Sequence, residues 1–207
     1  MIKDIKAEEY FSIGIGLAKK EYWTIFFNLI IYSFVSIGAA ITIVGIFFLP
    51  AISVGYITFL LKAARGEKVD LGDSLGAGFK DGMWWKSLLL FILQGFGILL
   101  GFLLLIIPGV YLSVVWALAV YLLVDKKLLP TDALGQSKDL VHQLGFWKVF
   151  VIIFLISIGT QLVSLLPFLG IIILLFIMPF TSMIYVAVYE NAIQNDSSLP
   201  LEAAIRE

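Results

Sequence analysis

Three long stretches of this chain, residues 22–61, 87–124 and 149–189, contain no charged side chain at all. Each holds about forty residues, most of them apolar. A helix of that length would extend about 60 Å, twice the roughly 30 Å hydrocarbon core of a bilayer. Each stretch therefore predicts two spans of about 20 residues folded back on one another. The pattern predicts an all-α polytopic integral membrane protein, with six transmembrane helices arranged as three helical hairpins.

The polar linkers carry helical patterning of their own. After the second hairpin, Pro130, Thr131 and Asp132 form a helix start signal; Leu134, Val141 and Leu144 follow at helical spacing, with Lys138 and Asp139 on other faces. After the first hairpin, Leu71, Leu75, Phe79 and Met83 make a stripe four residues apart. Gly72, Gly76, Gly78 and Gly82 weaken that helix by up to about 1 kcal/mol each, so a solvated, partly ordered loop is the alternative there. Both linkers read as amphipathic segments along the membrane interface. Within the windows, "LLPFLG" with Pro167 and Gly170 predicts a tight turn, and "IIPGV" with Pro108 and Gly109 a second. Pro50 and Pro179 would start a second helix or kink it.

A hairpin returns the chain to the side it left, so both termini and both long linkers share one face. The 14 lysines and arginines and 15 aspartates and glutamates all lie on that face or at its boundary. Lys19, Lys20, Lys62, Arg65, Lys80, Lys86, Lys126, Lys127 and Lys148 then place it, with both termini, in the cytoplasm, the expected location being the cell membrane. On the same face Trp23, Trp85 and Trp147 stand 62 residues apart, each preceded by an aromatic residue (Tyr22, Trp84, Phe146); Lys86 and Lys148 follow two of them, and Thr24 the other. The spacing suggests a single membrane domain over 1–207 with parallel repeat units of about 62 residues, near 7–66, 69–128 and 129–194, and a C-terminal tail at 195–207. Interfacial tryptophan and lysine preferences acting on loops of equal length would give the same spacing without common ancestry.

Composition narrows the chemistry. With 61% hydrophobic residues, the chain lies far outside the soluble range. Its net charge of −1 gives no reason to expect nucleic acid as a partner. Cysteine is absent, which removes disulfides, thiolate metal sites and cysteine nucleophiles together. His142 is the only histidine, so a multi-histidine metal site within one chain is excluded. The first 20 residues are too polar and acidic for a secretory segment. No charged residue stands in the middle of a span, which argues against a carrier built on buried carboxylates. No phosphate-cradling loop, Ser/His/Asp set or recognisable carboxylate pair appears, and no cofactor or metal is called for.

From Ile107 to Ala192 the pattern beginning "IIPGVYLSVVWALAVYLLVDKKLLPTDALGQSKDLVHQLGFWKVF" and ending "YVAVYENA" resembles a family of bacterial and archaeal membrane proteins. That family includes the membrane domain attached to some glycerophosphodiester phosphodiesterases, with related domains of unknown function. The shared features are Asp125 ending a helix, Pro130, Ala133 and Leu134, Ser137 and Lys138, then Trp147 and Lys148. The resemblance covers about 40% of the chain and implies the fold. It lends no catalytic residue, since no phosphodiesterase domain is present and the family's membrane part has no established chemistry.

The expected function is a non-enzymatic membrane role: packing with itself, with membrane lipids or with a membrane partner. Trp23, Lys80, Trp85, Lys86, Lys138, Trp147 and Lys148 are the candidate headgroup and interface residues. Gly97 and Gly101 give one helix a small-xxx-small face, suited to close internal packing or to a homo-oligomer. The alternative is a transporter or channel for a neutral or amphiphilic solute, with Asn28, Gln94 and Gln161 along an internal path. Interhelical hydrogen bonding is their ordinary role. Tyr121 and Tyr189, near the charged ends, are expected in an interfacial aromatic belt.

Overall fold

A computed structural model describes residues 5–68, 70–166 and 168–195. The helices in order are α1 (Ala7–Lys20), α2 (Tyr22–Ala40), α3 (Ile43–Ile46), α4 (Leu49–Arg65), α5 (Leu71–Ala77), α6 (Met83–Leu104), α7 (Ile106–Val115), α8 (Ala119–Asp125), α9 (Pro130–Leu144), α10 (Phe146–Ser164) and α11 (Leu169–Asn195). One 3-10 turn, Lys80–Gly82, precedes α6, and no described residue lies in a strand. Six segments are long and apolar enough to cross a membrane: Tyr22–Ala40, Val44–Arg65, Lys80–Leu104, Ile106–Asp125, Phe146–Ser164 and Leu169–Gln194. The chain is an all-α, multi-pass membrane protein, two spans to each charge-free window, with charged residues only at the span ends.

The turns differ in detail from the proline signals. The second hairpin reverses at Leu105, where the backbone is extended, and Pro108 falls inside the first turn of α7. Pro50 sits likewise at the start of α4. A first-turn proline loses no helical hydrogen bond, because its missing N–H would have had no intrahelical partner. Pro179 lies within α11, which continues through it. Pro167 and the tail beyond Asn195 lie outside the described residues.

Within each hairpin the second span is the inner one. Buried residues make up 56%, 44% and 33% of the second spans against 22%, 17% and 17% of the first, so α4, α7/α8 and α11 form the centre. The outer helices α2, α6 and α10 present their apolar residues outward, including Phe34, Phe96 and Leu162. For spans in lipid this costs nothing, since acyl chains are as apolar as the side chains.

The order of short helix, outer span and inner span occurs three times, and each short helix packs on an inner one. α5 lies on α4, α9 on α8 and α1 on α11, the last contact joining the first hairpin to the third. The linkers are therefore docked helices as well as amphipathic ones. Tyr10, Gly14 and Ala18 are buried on α1; Ala133, Ser137, Leu140, Val141 and Leu144 are buried on α9. The glycine-rich linker keeps only the short α5, with Gly78 directly over the Ala51 carbonyl, where a side chain would collide with backbone.

The fourth span is broken between α7 and α8, although no glycine or proline marks the place. The Leu118 N–H donates to Ser137 Oγ at 3.2 Å, and that hydroxyl donates to the Val115 carbonyl at 2.7 Å. Gln94 Nε2 donates to the Trp116 carbonyl at 3.1 Å. Backbone groups freed inside a span must find partners within the protein, and α9 and α6 supply them. Ser137→Ala would leave a buried N–H and C=O unsatisfied, at a cost of about 1–3 kcal/mol. Thermal unfolding in detergent should show a midpoint lower by roughly 2–12 °C; an unchanged midpoint would mean the break is sustained otherwise.

The small-residue face of α6 packs internally. A side chain at Gly97 would overlap the Trp116 indole, and one at Gly101 would come within 2.9 Å of the Gly109 backbone.

Candidate functional site

The three tryptophans occupy equivalent corners, each at the start of an outer span. Trp23, Trp85 and Trp147 are 62%, 58% and 72% exposed. The aromatic residue before each turns the other way and docks on an inner segment of the preceding hairpin in the ring. Tyr22 stacks beside Phe180 of α11 with centroids 5.3 Å apart, Trp84 beside Phe48 at 5.8 Å, and Phe146 beside Tyr111 of α7 at 5.6 Å. Backbone carbonyls fix two of them, accepting from Tyr22 (Phe176 O, 3.2 Å) and from Trp84 Nε1 (Phe47 O, 3.1 Å). An adjacent aromatic pair thus splits into an anchor and an outward indole, because consecutive helical positions are about 100° apart.

The predicted lysines differ in burial. Lys86 and Lys148, next to the outward indoles, are half-buried; Lys80 and Lys138 are exposed on the 3-10 turn and α9. In the first corner Thr24 takes the lysine position and donates to Glu21 at 2.9 Å, with Lys19 and Lys20 just before it in α1. Half-buried stems with charged heads beside exposed indoles form surfaces suited to the headgroup region.

A second constellation was not singled out from the sequence. Arg65, Asp125 and Glu190, at the charged ends of the three inner helices, meet in one cluster. Arg65 Nη1 bonds Asp125 Oδ1 at 2.6 Å, and its Nε and Nη2 reach Glu190 Oε1 at 2.9 and 2.8 Å. Tyr189 donates to Asp125 Oδ2 at 2.8 Å and stacks on Tyr121, with centroids 5.5 Å apart. Asp125 keeps 10% of its side-chain exposure and Glu190 21%. One guanidinium fork therefore joins all three hairpins. Tyr121 and Tyr189 correct the expectation of an interfacial belt: they are buried, at 8% and 0%, because their rings support the cluster from inside. A signal existed in the sequence, since Asp125 and Glu190 are the first charges after the second and third windows.

Asn28, Gln94 and Gln161 stand on α2, α6 and α10, three separate outer helices. Asn28 Nδ2 donates to the Thr24 carbonyl at 2.8 Å, Gln94 is engaged at the α7/α8 break, and Gln161 is exposed and accepts from Ser164 at 3.4 Å. The structure does not bring them together. His142 lies 3.2 Å from the Tyr111 hydroxyl on the exposed side of α9. Among the described residues no group of three or more His, Asp or Glu is placed to hold a metal ion. No protein-family model matches the chain, and no curated protein or solved structure is found similar to it.

Proposed function

We propose that this chain is a non-enzymatic protein of the cell membrane, with both termini cytoplasmic, that holds anionic lipid headgroups at its tryptophan-lysine corners. The supporting observation is the corner itself: an anchored aromatic and an outward indole at the start of every outer span, with a lysine directly after the indole in two of the three. Lysines near an anionic surface contribute about 1 kcal/mol each, and indoles set the depth at which they meet it. The Arg65 cluster fits this reading as a fastener that keeps the three corners in fixed relation.

The test is native mass spectrometry of protein extracted from mixed phosphatidylglycerol and phosphatidylcholine. Lys80→Gln/Lys86→Gln/Lys138→Gln/Lys148→Gln should retain at least tenfold less phosphatidylglycerol than the parent and equal phosphatidylcholine, as the summed electrostatic term implies. Equal retention of both lipids would overturn the reading, as would reproducible turnover of a lipid phosphodiester by the purified protein.

A further inference from the structure

A cleft of about 510 Å³ opens between α2 and α4 and is closed on one side by Met178 of α11. Its walls are Leu29, Ile37, Ile52 and Ile57, and set among them are Ser33, Ser36, Ser53 and Tyr56. The size is that of a site for one small amphiphile. No charged side chain lines it. Three of these four hydroxyls already donate within the protein, which leaves their acceptor oxygens and the Ser36 hydroxyl facing a cleft where hydrocarbon would offer no hydrogen bonds.

The hydrogen bonds already made define what that occupant presents. Ser33 and Ser53 donate to the carbonyls of Leu29 and Leu49 at 2.7 and 3.0 Å, and Tyr56 donates to Ser182 at 3.4 Å. Their oxygens keep acceptor capacity toward the cleft. Among the described residues Ser36 has no hydrogen-bond partner, so its O–H is available as a donor. Tyr32 also lines the cleft but is only 3% exposed, and its hydroxyl has no partner in good geometry among the described residues, Ser74 being the polar side chain beside it.

We infer that this cleft binds a neutral lipid whose head carries hydroxyl and ester oxygens, of the diacylglycerol class, with its tails against Ile52, Ile57 and Met178. A ligand hydroxyl would donate to Ser33 or Ser53, and an ester carbonyl would accept from Ser36. A phosphate-bearing head is disfavoured, since no cation lines the cleft to offset its charge. The site is separate from the lysine corners, so failure of either assignment leaves the other standing.

The experiment uses the full chain in phosphatidylcholine vesicles with a dioleoylglycerol bearing a photoreactive diazirine on one acyl chain. Label should appear in peptides from α2 and α4. Excess unlabelled dioleoylglycerol should reduce it at least fivefold, and equal dioleoylphosphatidylglycerol should not. Ser36→Phe, which fills the cleft, should reduce label at least fivefold. Equal competition by the two lipids would show ordinary boundary lipid and overturn the assignment. Label unaffected by Ser36→Phe in a protein that elutes and melts as the parent would overturn it too. If that variant does not fold, the competition on the parent decides alone.

Discussion

Arg65→Ala is expected to lower the thermal unfolding midpoint by about 6–12 °C. The substitution leaves Asp125 and Glu190 side by side, largely withdrawn from water and without their shared cation. Removing one partner of a buried ion pair costs about 3–5 kcal/mol, and the 33% exposure of the arginine side chain puts this case near 3. At roughly 2–4 °C per kcal/mol for a chain of this size, the stated shift follows. The effect belongs to an uncompensated charge, so it should disappear when the charges go together. Arg65→Met/Asp125→Asn/Glu190→Gln should melt within about 3 °C of the parent, in line with buried charge clusters replaced as a unit. Lys126→Ala, at an exposed neighbouring position, supplies the comparison, because exposed charges contribute about 0–1 kcal/mol. If Arg65→Ala and Lys126→Ala melt alike, the cluster is only a surface contact.

That cluster also shows where sequence reasoning stops. The six spans were legible because the bilayer imposes one requirement, a run of apolar residues as long as its hydrocarbon core, which any reader of windows can test. Trp23, Trp85 and Trp147 stood out in the sequence by their equal spacing, and the structure shows all three exposed. Arg65, Asp125 and Glu190 were legible only as boundary charges. Their meeting depends on which helix of each hairpin faces inward, and composition does not distinguish the two, since both spans of a hairpin are apolar all round. The broken fourth span was hidden in the same way. Residues 116–118 contain no helix breaker, and the group that sustains the break, Ser137, lies on a different helix. Tyr121 and Tyr189 were misplaced because a tyrosine near a span end satisfies the interface rule equally well when its hydroxyl finds water or, as Tyr189 does here, a buried carboxylate.

Gly14→Leu is expected to detach α1 from α11 while the rest of the chain stays folded. At this crossing the two backbones touch: a Cβ on Gly14 would lie 2.6 Å from Ile184 Cα, a position no rotamer change can relieve. Overpacking in a core costs about 1–3 kcal/mol even when side chains can yield, and here the obstacle is main chain. Undocking also separates Tyr10 from Asn191, now bonded at 2.7 Å. Because the chain has no cysteine, a single Ala18→Cys on the buried face of α1 reports on docking without background. Maleimide should modify that thiol at least tenfold faster in the Gly14→Leu background, since each 1.4 kcal/mol shifts a local opening equilibrium about tenfold. Ala133→Cys, equally buried on α9, should stay slow in both backgrounds, because α9 packs chiefly on α8 whereas α1 packs chiefly on α11. Fast labelling at both sites would mean that the fold opens as one unit, and slow labelling at both would mean that α11 shifts to accommodate the leucine. Acceleration confined to position 18 would identify α1 as an independently docking element, one of the contacts, with the Arg65–Glu190 pair, that hold the first hairpin to the third.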